Sequence, residues 1–186
     1  VEEVKKDDVN WIVKTNNGKI FLTPNVIIAG GVGSFEPRKF PVKECEKFEN
    51  KSVFYSVNDK KIFEGKTVAI FGGGDSALDW AVELSKNSKV NLIHRREEFR
   101  GAQATVDKVH ALAKEGKINL FTKYQMTSVK GNGQLESIDL KNDGDEKRNI
   151  KADYALGFFG LIMQLGPIAS WGLNLDKKTI EVDTEK

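Results

Sequence analysis

A glycine-rich turn between an apolar strand and an amphipathic helix constrains the fold of this chain more than any other sequence feature. Residues 68–77 read Val-Ala-Ile-Phe-Gly-Gly-Gly-Asp-Ser-Ala, a G-x-G-x-x-A fingerprint at Gly72, Gly74 and Ala77. Gly72 permits a tight turn, Gly74 lets the backbone approach a pyrophosphate, and Ala77 lets the helix pack closely on the strand. Free N–H groups at the helix start favour phosphate binding. The fingerprint predicts a dinucleotide site that includes Gly73, although a purely structural turn is the alternative.

Asp75 and Ser76 lie inside this fingerprint and are therefore candidate cofactor-binding residues. Both side chains can instead cap the helix by accepting hydrogen bonds from backbone N–H groups. We favour capping for Asp75, because a carboxylate next to a pyrophosphate would repel it.

Strand and helix patterns alternate after residue 66. The predicted elements are strands 67–71, 89–93 and 118–122 and helices 76–85 and 106–114. This order predicts an α/β fold with a Rossmann-like parallel sheet and right-handed crossovers. Residues 124–150 predict a three-stranded antiparallel meander, and an apolar strand is expected over 154–161.

The first 42 residues have a different pattern. Alternating residues around the turn at 16–18 predict a hairpin, followed by a core strand over 26–29. Residues 35–42 contain two prolines in a basic stretch and predict a linker. Gly31-Val32-Gly33 also follows an apolar run, but the prolines exclude a phosphate-binding helix directly after it.

The end of the second parallel strand favours NADP over NAD. An NAD site normally places an acidic residue there, about 20 positions after the glycines, whereas this chain has His94-Arg95-Arg96, followed by Arg100. Three of the chain's five arginines lie between residues 95 and 100. Two arginines on a 2′-phosphate would favour NADP over NAD by roughly 3–5 kcal/mol before solvent screening.

The alternative is a solvated run of charges in which Glu97 and Glu98 pair with the arginines. This alternative suits Arg100 better than Arg95 or Arg96. His94 is a further candidate for a hydrogen bond to the cofactor, and a polar strand end that faces solvent is the alternative.

Composition excludes several function classes. The chain has 186 residues, with 29 basic and 27 acidic side chains, and a net charge of +2, which does not suit a nucleic-acid or anionic-membrane binder. No apolar run approaches the ~18 residues of a membrane span, and the first residues lack a signal-peptide pattern. The single cysteine, Cys45, excludes an internal disulfide and a thiolate zinc cluster. These features predict a reducing, cytoplasmic compartment.

Taken together, the motifs carry a family resemblance. Gly-Gly-Gly-Asp-Ser-Ala followed by His-Arg-Arg-x-x-Phe-Arg resembles the NADPH-binding domain of thioredoxin reductase-like flavoproteins. Two flanking segments, residues 29–38 and 165–173, resemble ferredoxin (or flavodoxin)–NADP reductase of the thioredoxin reductase-like type. The similarity extends over essentially the whole chain.

The resemblance implies a domain organisation. Residues 37–164 are expected to form an NADPH-binding domain, with Gly160 near the cofactor. Residues 1–36 and 165–186 are expected to be the edges of an interrupted FAD domain. The FAD fingerprints of the family would then lie outside the chain, so that a piece of a longer enzyme, inactive by itself, is expected.

The implied activity is hydride exchange between NADPH and FAD, with single electrons passing to or from ferredoxin or flavodoxin. Members of the family are commonly homodimers, and the sequence shows no interface. Thioredoxin reductase is the rival within the family, but the slot of its C-x-x-C pair holds Tyr55-Ser56-Val57-Asn58. Two further hypotheses are a nucleotide-binding module without catalysis and a structural domain that has kept the fold without the ligand.

Overall fold

The computed structural model describes residues 1–31, 34–177 and 179–183. Its α-helices are α1 (Asp75–Leu84) and α2 (Gln103–Lys114). Its strands are β1 (Glu3–Asp7), β2 (Asn10–Lys14), β3 (Ile20–Thr23), β4 (Ser34–Pro37), β5 (Val53–Phe54), β6 (Thr67–Phe71), β7 (Lys89–His94), β8 (Ile118–Thr122), β9 (Tyr124–Lys130), β10 (Ser137–Asn142), β11 (Lys147–Lys151), β12 (Tyr154–Gly157), β13 (Leu161–Gln164), β14 (Leu175–Asp176) and β15 (Thr179–Ile180). Three short 3₁₀ helices cover Lys43–Phe48, Lys60–Phe63 and Gly166–Ser170.

The chain divides into two compact units. One unit comprises Val1–Glu36 and Leu161–Lys186, and the other comprises Pro37–Gly160. The second division falls after Gly160, whereas the sequence placed a boundary after residue 164. Strand β13 accounts for the difference, because it pairs with β4.

A five-stranded parallel sheet with the order β5-β12-β6-β7-β8 organises the unit 37–160. Along β6 the side chains alternate between the two faces, as expected for a strand covered on both sides. Val68 and Ile70 pack in one buried cluster with residues of α1 and α2, while Ala69 and Phe71 pack in a second cluster with residues of the meander. The predicted α/β fold with a parallel sheet is confirmed.

The antiparallel meander is also confirmed. Its strands have the order β11-β10-β9, and the register between β9 and β10 shifts between Asp139 and Leu140. Ile138 and Leu140 on β10 are fully buried and face the sheet cluster. The meander therefore covers the face of the parallel sheet opposite to the helices.

The unit formed by residues 1–36 and 161–186 is built from small sheets. Strands β1, β2 and β3 form an antiparallel meander, β4 pairs with β13, and β14 pairs with β15. The Trp171 indole N–H donates to the Glu2 carbonyl over 3.3 Å. Every fully buried hydrophobic side chain of the described residues belongs to the other unit, between Phe40 and Leu156.

Three sequence expectations are wrong in detail. Residues 26–29 form no strand, and Ile27 is 91% exposed. The strand expected over 154–161 is interrupted, since β12 ends at Gly157 and β13 begins only at Leu161, with Gly160 at a φ of +87° between them. The proline-containing stretch begins with strand β4 before it becomes irregular.

The glycine turn at Gly31-Val32-Gly33 lies partly outside the described residues, which exclude Val32 and Gly33. Strand β4 begins at Ser34, and no helix opens among the described residues 34–41. This agrees with the absence of a phosphate-binding helix that the prolines predicted.

Candidate functional site

The carboxyl ends of β6, β7 and β12 border a cavity of about 460 Å³ in the unit 37–160. Ligands of open parallel sheets bind at this edge of the strands. The cavity is lined by Arg38, Lys39, Phe40, Pro41, Phe71, Gly72, Gly73, Gly74, Ile93, His94, Arg95, Arg96, Arg100, Tyr124, Gln125, Met126, Phe158, Phe159 and Gly160.

The glycine turn is closely packed on its inner side and open at its outer end. Gly72 has a φ of +151°, and a Cβ atom there would lie 2.7 Å from the Phe158 carbonyl oxygen and 2.8 Å from the Ala77 Cβ. Gly74 precedes α1 in an extended conformation, and no atom lies within 4 Å of the position that its Cβ would take. The helix start is therefore approachable from the cavity at Gly74, and its first free N–H groups can bind an anion.

The His94 ring lies directly over Gly73. A Cβ atom at Gly73 would come within 2.3–2.5 Å of three ring atoms, so only glycine allows this contact. The ring stacks on Phe99 with a centroid distance of 5.3 Å, and its Nε2–H donates to the Glu98 carbonyl over 3.1 Å. Burial lowers the pKa of His94, and the nearby arginines add to this effect.

Residues 95–100, here called the arginine segment, carry three guanidinium groups. Within the described residues, none of Arg95, Arg96 and Arg100 forms an ion pair with a carboxylate. Glu97 pairs instead with Lys123 over 2.7 Å. All three arginines line the cavity, which disfavours the alternative in which Glu97 neutralises the charge run.

Asp75, Ser76 and Ala77 lie at the start of α1 and are not among the cavity-lining residues. Asp75 Oδ1 accepts a hydrogen bond of 2.7 Å from the backbone N–H of Ala102, immediately before α2. Ala77 is buried against Gly72, as the fingerprint predicts for its small residue. Ser76 is exposed on the first turn of the helix.

Several further cavity residues were not predicted from the sequence as part of the site. Phe40 packs edge-on against Phe71 and Phe159, with centroid distances of 5.1 and 5.0 Å, and forms an aromatic wall. Arg38 adds another cation, and its backbone N–H donates to the Gly160 carbonyl over 3.0 Å. Arg38 could have been suspected from the sequence, because it lies in the basic stretch 35–42. The aromatic residues could not, because their contacts join distant parts of the sequence.

Residues 55–58, the slot in which the family resemblance places the dithiol of thioredoxin reductases, contain no thiol. Tyr55 occupies its first position, where its hydroxyl donates to Glu49 and accepts from the Phe40 N–H. Cys45 lies elsewhere in the core, 1% exposed and 3.4 Å from the Met126 sulfur. Burial raises the pKa of the Cys45 thiol to about 12, so the reactive thiolate does not form at neutral pH.

Comparison with known families identifies the chain. The family model described as pyridine nucleotide-disulphide oxidoreductase matches residues 1–186. The chain belongs to this family. The family is named after a pyridine nucleotide and a disulphide. The described residues contain a candidate site for the nucleotide, whereas their single cysteine, Cys45, is buried and unpaired.

Curated relatives have informative names. A ferredoxin–NADP reductase of Pelagibacter ubique is 65% identical over 185 residues, which cover 100% of this chain and 55% of the relative. A ferredoxin–NADP reductase of Parvibaculum lavamentivorans is 50% identical, with coverage of 100% and 55%. The chain thus spans about half the length of these relatives.

Solved structures agree on the fold. Thioredoxin reductase of T. acidophilum superposes with a TM-score of 0.82 at 25% identity, over 98% of this chain and 59% of that one. Thioredoxin reductase of Lactococcus lactis gives a TM-score of 0.81 at 23% identity, over 98% and 59%, and supports the fold alone. Among the described residues, no helix has the length and apolar character that a membrane crossing needs.

Two features of the cavity are those that could hold a phosphorylated dinucleotide. The open helix start at Gly74 suits a pyrophosphate, and the guanidinium groups of the arginine segment suit a further anionic group at the end of β7. Within the described residues, no group of His, Cys, Asp and Glu side chains is arranged to hold a metal ion.

Proposed function

We propose that the unit 37–160 binds NADP(H), with the pyrophosphate at Gly72, Gly73 and Gly74 and the 2′-phosphate on the arginine segment. The observation that carries this proposal is the set of cavity-lining arginines that have no ion-pair partner among the described residues. Guanidinium groups bind phosphate in a bidentate, charge-assisted manner. Backbone N–H groups at the start of α1 serve the diphosphate, as in other dinucleotide sites.

The remaining residues are proposed to shape the cavity. His94 orders the arginine segment by bonding the Glu98 carbonyl, and Gly160 lines the side next to β12. Phe40, Phe71 and Phe159 exclude water from the inner wall. We propose that Ser76, which is exposed on the first turn of α1 beside the cavity-lining Gly74, hydrogen-bonds the diphosphate, and we assign Ala77 a packing role.

The experiment is a calorimetric titration of the chain with NADP⁺ and NAD⁺. Each exposed arginine should contribute about 1.4 kcal/mol to the binding free energy of NADP⁺ after solvent screening, which corresponds to about tenfold in affinity. The variant Arg95→Ala/Arg96→Ala should therefore lose roughly a hundredfold in NADP⁺ affinity and little in NAD⁺ affinity. Lys117→Ala is the matched control, because Lys117 is an exposed cation that pairs with Glu115 between α2 and β8, and neither residue lines the cavity. Equal NADP⁺ and NAD⁺ affinities in the unmodified chain would reject the proposal.

We further propose that the longer protein is a ferredoxin–NADP reductase that uses FAD. The names of the relatives support ferredoxin as the electron carrier, with flavodoxin as a second candidate. Residues 1–36 and the segment after residue 164 would belong to its FAD domain, in a homodimeric, cytoplasmic protein. NADPH and FAD, when bound, would supply the hydride and electron chemistry, while this chain binds and orients the nucleotide.

A further inference from the structure

We propose that Asp75 is a positioning residue for the arginine segment and does not contact the nucleotide. Asp75 Oδ1 accepts a 2.7 Å hydrogen bond from the backbone N–H of Ala102, two residues after Arg100. The inference rests on the proposed NADP(H) site and states how selectivity for the 2′-phosphate is built there.

The arginine segment is attached to the glycine turn at both ends. At its beginning, the His94 ring lies against Gly73 and its Nε2–H bonds the Glu98 carbonyl. At its end, the Arg100 backbone N–H donates to the Gly73 carbonyl over 2.7 Å. The Asp75 bond to Ala102 is the next attachment along the chain.

Gly101 provides an independent observation at the same contact. A Cβ atom there would lie 2.6 Å from Leu78 Cδ1, 3.1 Å from Asp75 Oδ1 and 3.4 Å from the Asp75 backbone nitrogen. The backbone after Arg100 therefore lies directly on the first turn of α1. A side chain at 101 requires either the fully buried Leu78 side chain or the segment itself to shift.

Electrostatics favours this arrangement of the carboxylate. Asp75 is the first residue of α1, and Ala102 directly precedes α2, so the carboxylate lies near the positive ends of two helices. Ala102 has no side chain that could cap α2, and Asp75 supplies an acceptor for it from another helix. A carboxylate held in this bond is kept away from the diphosphate that it would otherwise repel.

The consequence is a division of roles between neighbouring residues. The glycines act on the diphosphate, which NADP⁺ and NAD⁺ share, whereas Asp75 acts only through the segment that reads the 2′-phosphate. Loss of the Asp75 acceptor should therefore weaken NADP⁺ binding about tenfold, the effect of one charge-assisted hydrogen bond, and NAD⁺ binding less than about twofold.

The test compares variants of the full chain by titration with NADP⁺ and with NAD⁺. Asp75→Ala removes the acceptor, and Asp75→Asn keeps an oxygen acceptor and should restore most of the NADP⁺ affinity. Asp79→Ala is the matched control, since Asp79 lies one turn later on α1 and its Oδ1 accepts only a long hydrogen bond, of 3.5 Å, from the Thr105 hydroxyl. Gly101→Ala displaces the segment with Asp75 intact and should reproduce the selective loss, which keeps the test decisive if Asp75→Ala does not fold.

A second readout needs no nucleotide. Amide hydrogen exchange at Arg100 and Ala102 should be faster in Asp75→Ala than in the unmodified chain and unchanged in Asp79→Ala. Equal losses of NADP⁺ and NAD⁺ affinity, or tighter binding of both after removal of the carboxylate, would overturn the inference alone. Absence of any NADP⁺ preference in the unmodified chain would overturn the proposed function and this inference with it.

Discussion

Single residues at the cavity owe their properties to what surrounds them. His94 is partly buried under the arginine segment, and its ring stacks on Phe99. Burial and the neighbouring arginines both oppose a charged imidazole and lower its pKa, although the bond to the Glu98 carbonyl favours the charged form. We therefore expect a neutral ring at neutral pH, with its proton on Nε2.

This expectation can be measured as a pKa. His94 should titrate below 6.5 in NMR spectra of the ring, recorded in the variant His110→Gln to leave one histidine signal. The lowered pKa means that the unfolded chain binds more protons, so this contribution to stability is complete above pH 6.5 and decreases as the pH falls through the folded-state pKa. A His94 pKa above 6.5 would contradict the packing described here.

The glycines and arginines of the cavity could be predicted from the sequence, because glycines at a strand-to-helix turn and arginines at the end of the next strand are each typical of a phosphate contact. It does not predict the orientation of Asp75, because the partner of that carboxylate is a backbone N–H 27 residues later. It also misses Phe40 and Phe159, which come together only when the chain returns to the sheet edge after more than a hundred residues.

At the scale of elements, strand β6 leads through the glycine turn 72–74 into α1, and the turn lines the cavity. The turn is closed on the side of Ala77 and Phe158 and open on the side of the cavity. Neighbouring glycines should therefore respond differently to the same substitution.

Gly72→Ala should lower the free energy of unfolding by about 2 kcal/mol or more, because its Cβ would overlap with backbone at a positive φ. Gly74→Ala should change it by less than about 0.5 kcal/mol, since the residue is extended and has open space. Urea unfolding measures the free energy of unfolding of both variants.

The Gly74→Ala variant should nevertheless bind NADP⁺ at least about tenfold more weakly, because a methyl group would enter the space for the diphosphate. A destabilised Gly74 variant with unchanged binding would show that the turn is not open as described.

Elements were predicted well where apolar periodicity and turn residues agree. Strands β6 and β8 have the predicted bounds, and the meander has three strands. The apolar run 26–29 failed, because four apolar residues do not make a strand without a pairing partner, and Ile27 is exposed. The neighbours β5 and β12 in the sheet could not be predicted, because their pairing spans about a hundred residues.

At the scale of the molecule, the chain has a single cysteine, so it contains no pair of thiols. Tyr55-Ser56-Val57-Asn58 holds no thiol, and Cys45 is buried with its pKa raised to about 12. A longer protein containing this chain and FAD should reduce ferredoxin with NADPH and fail to reduce thioredoxin. Both reactions can be followed spectrophotometrically, with Cys45→Ala as a control that leaves ferredoxin reduction unchanged. Comparable rates with thioredoxin and ferredoxin would show that the electron acceptor has been assigned wrongly.

The unit 37–160 is proposed to bind the diphosphate through residues 72–74 and to select NADP⁺ over NAD⁺ through the arginine segment, and an amide NMR titration of the full chain tests this claim most directly. With NADP⁺, the amide signals of residues 72–74 and of residues 95–100 should both shift. With NAD⁺, the glycine signals should shift and those of the arginine segment should stay close to their free positions. Equal shifts of residues 95–100 with both nucleotides, or shifts confined to other parts of the chain, would contradict the claim.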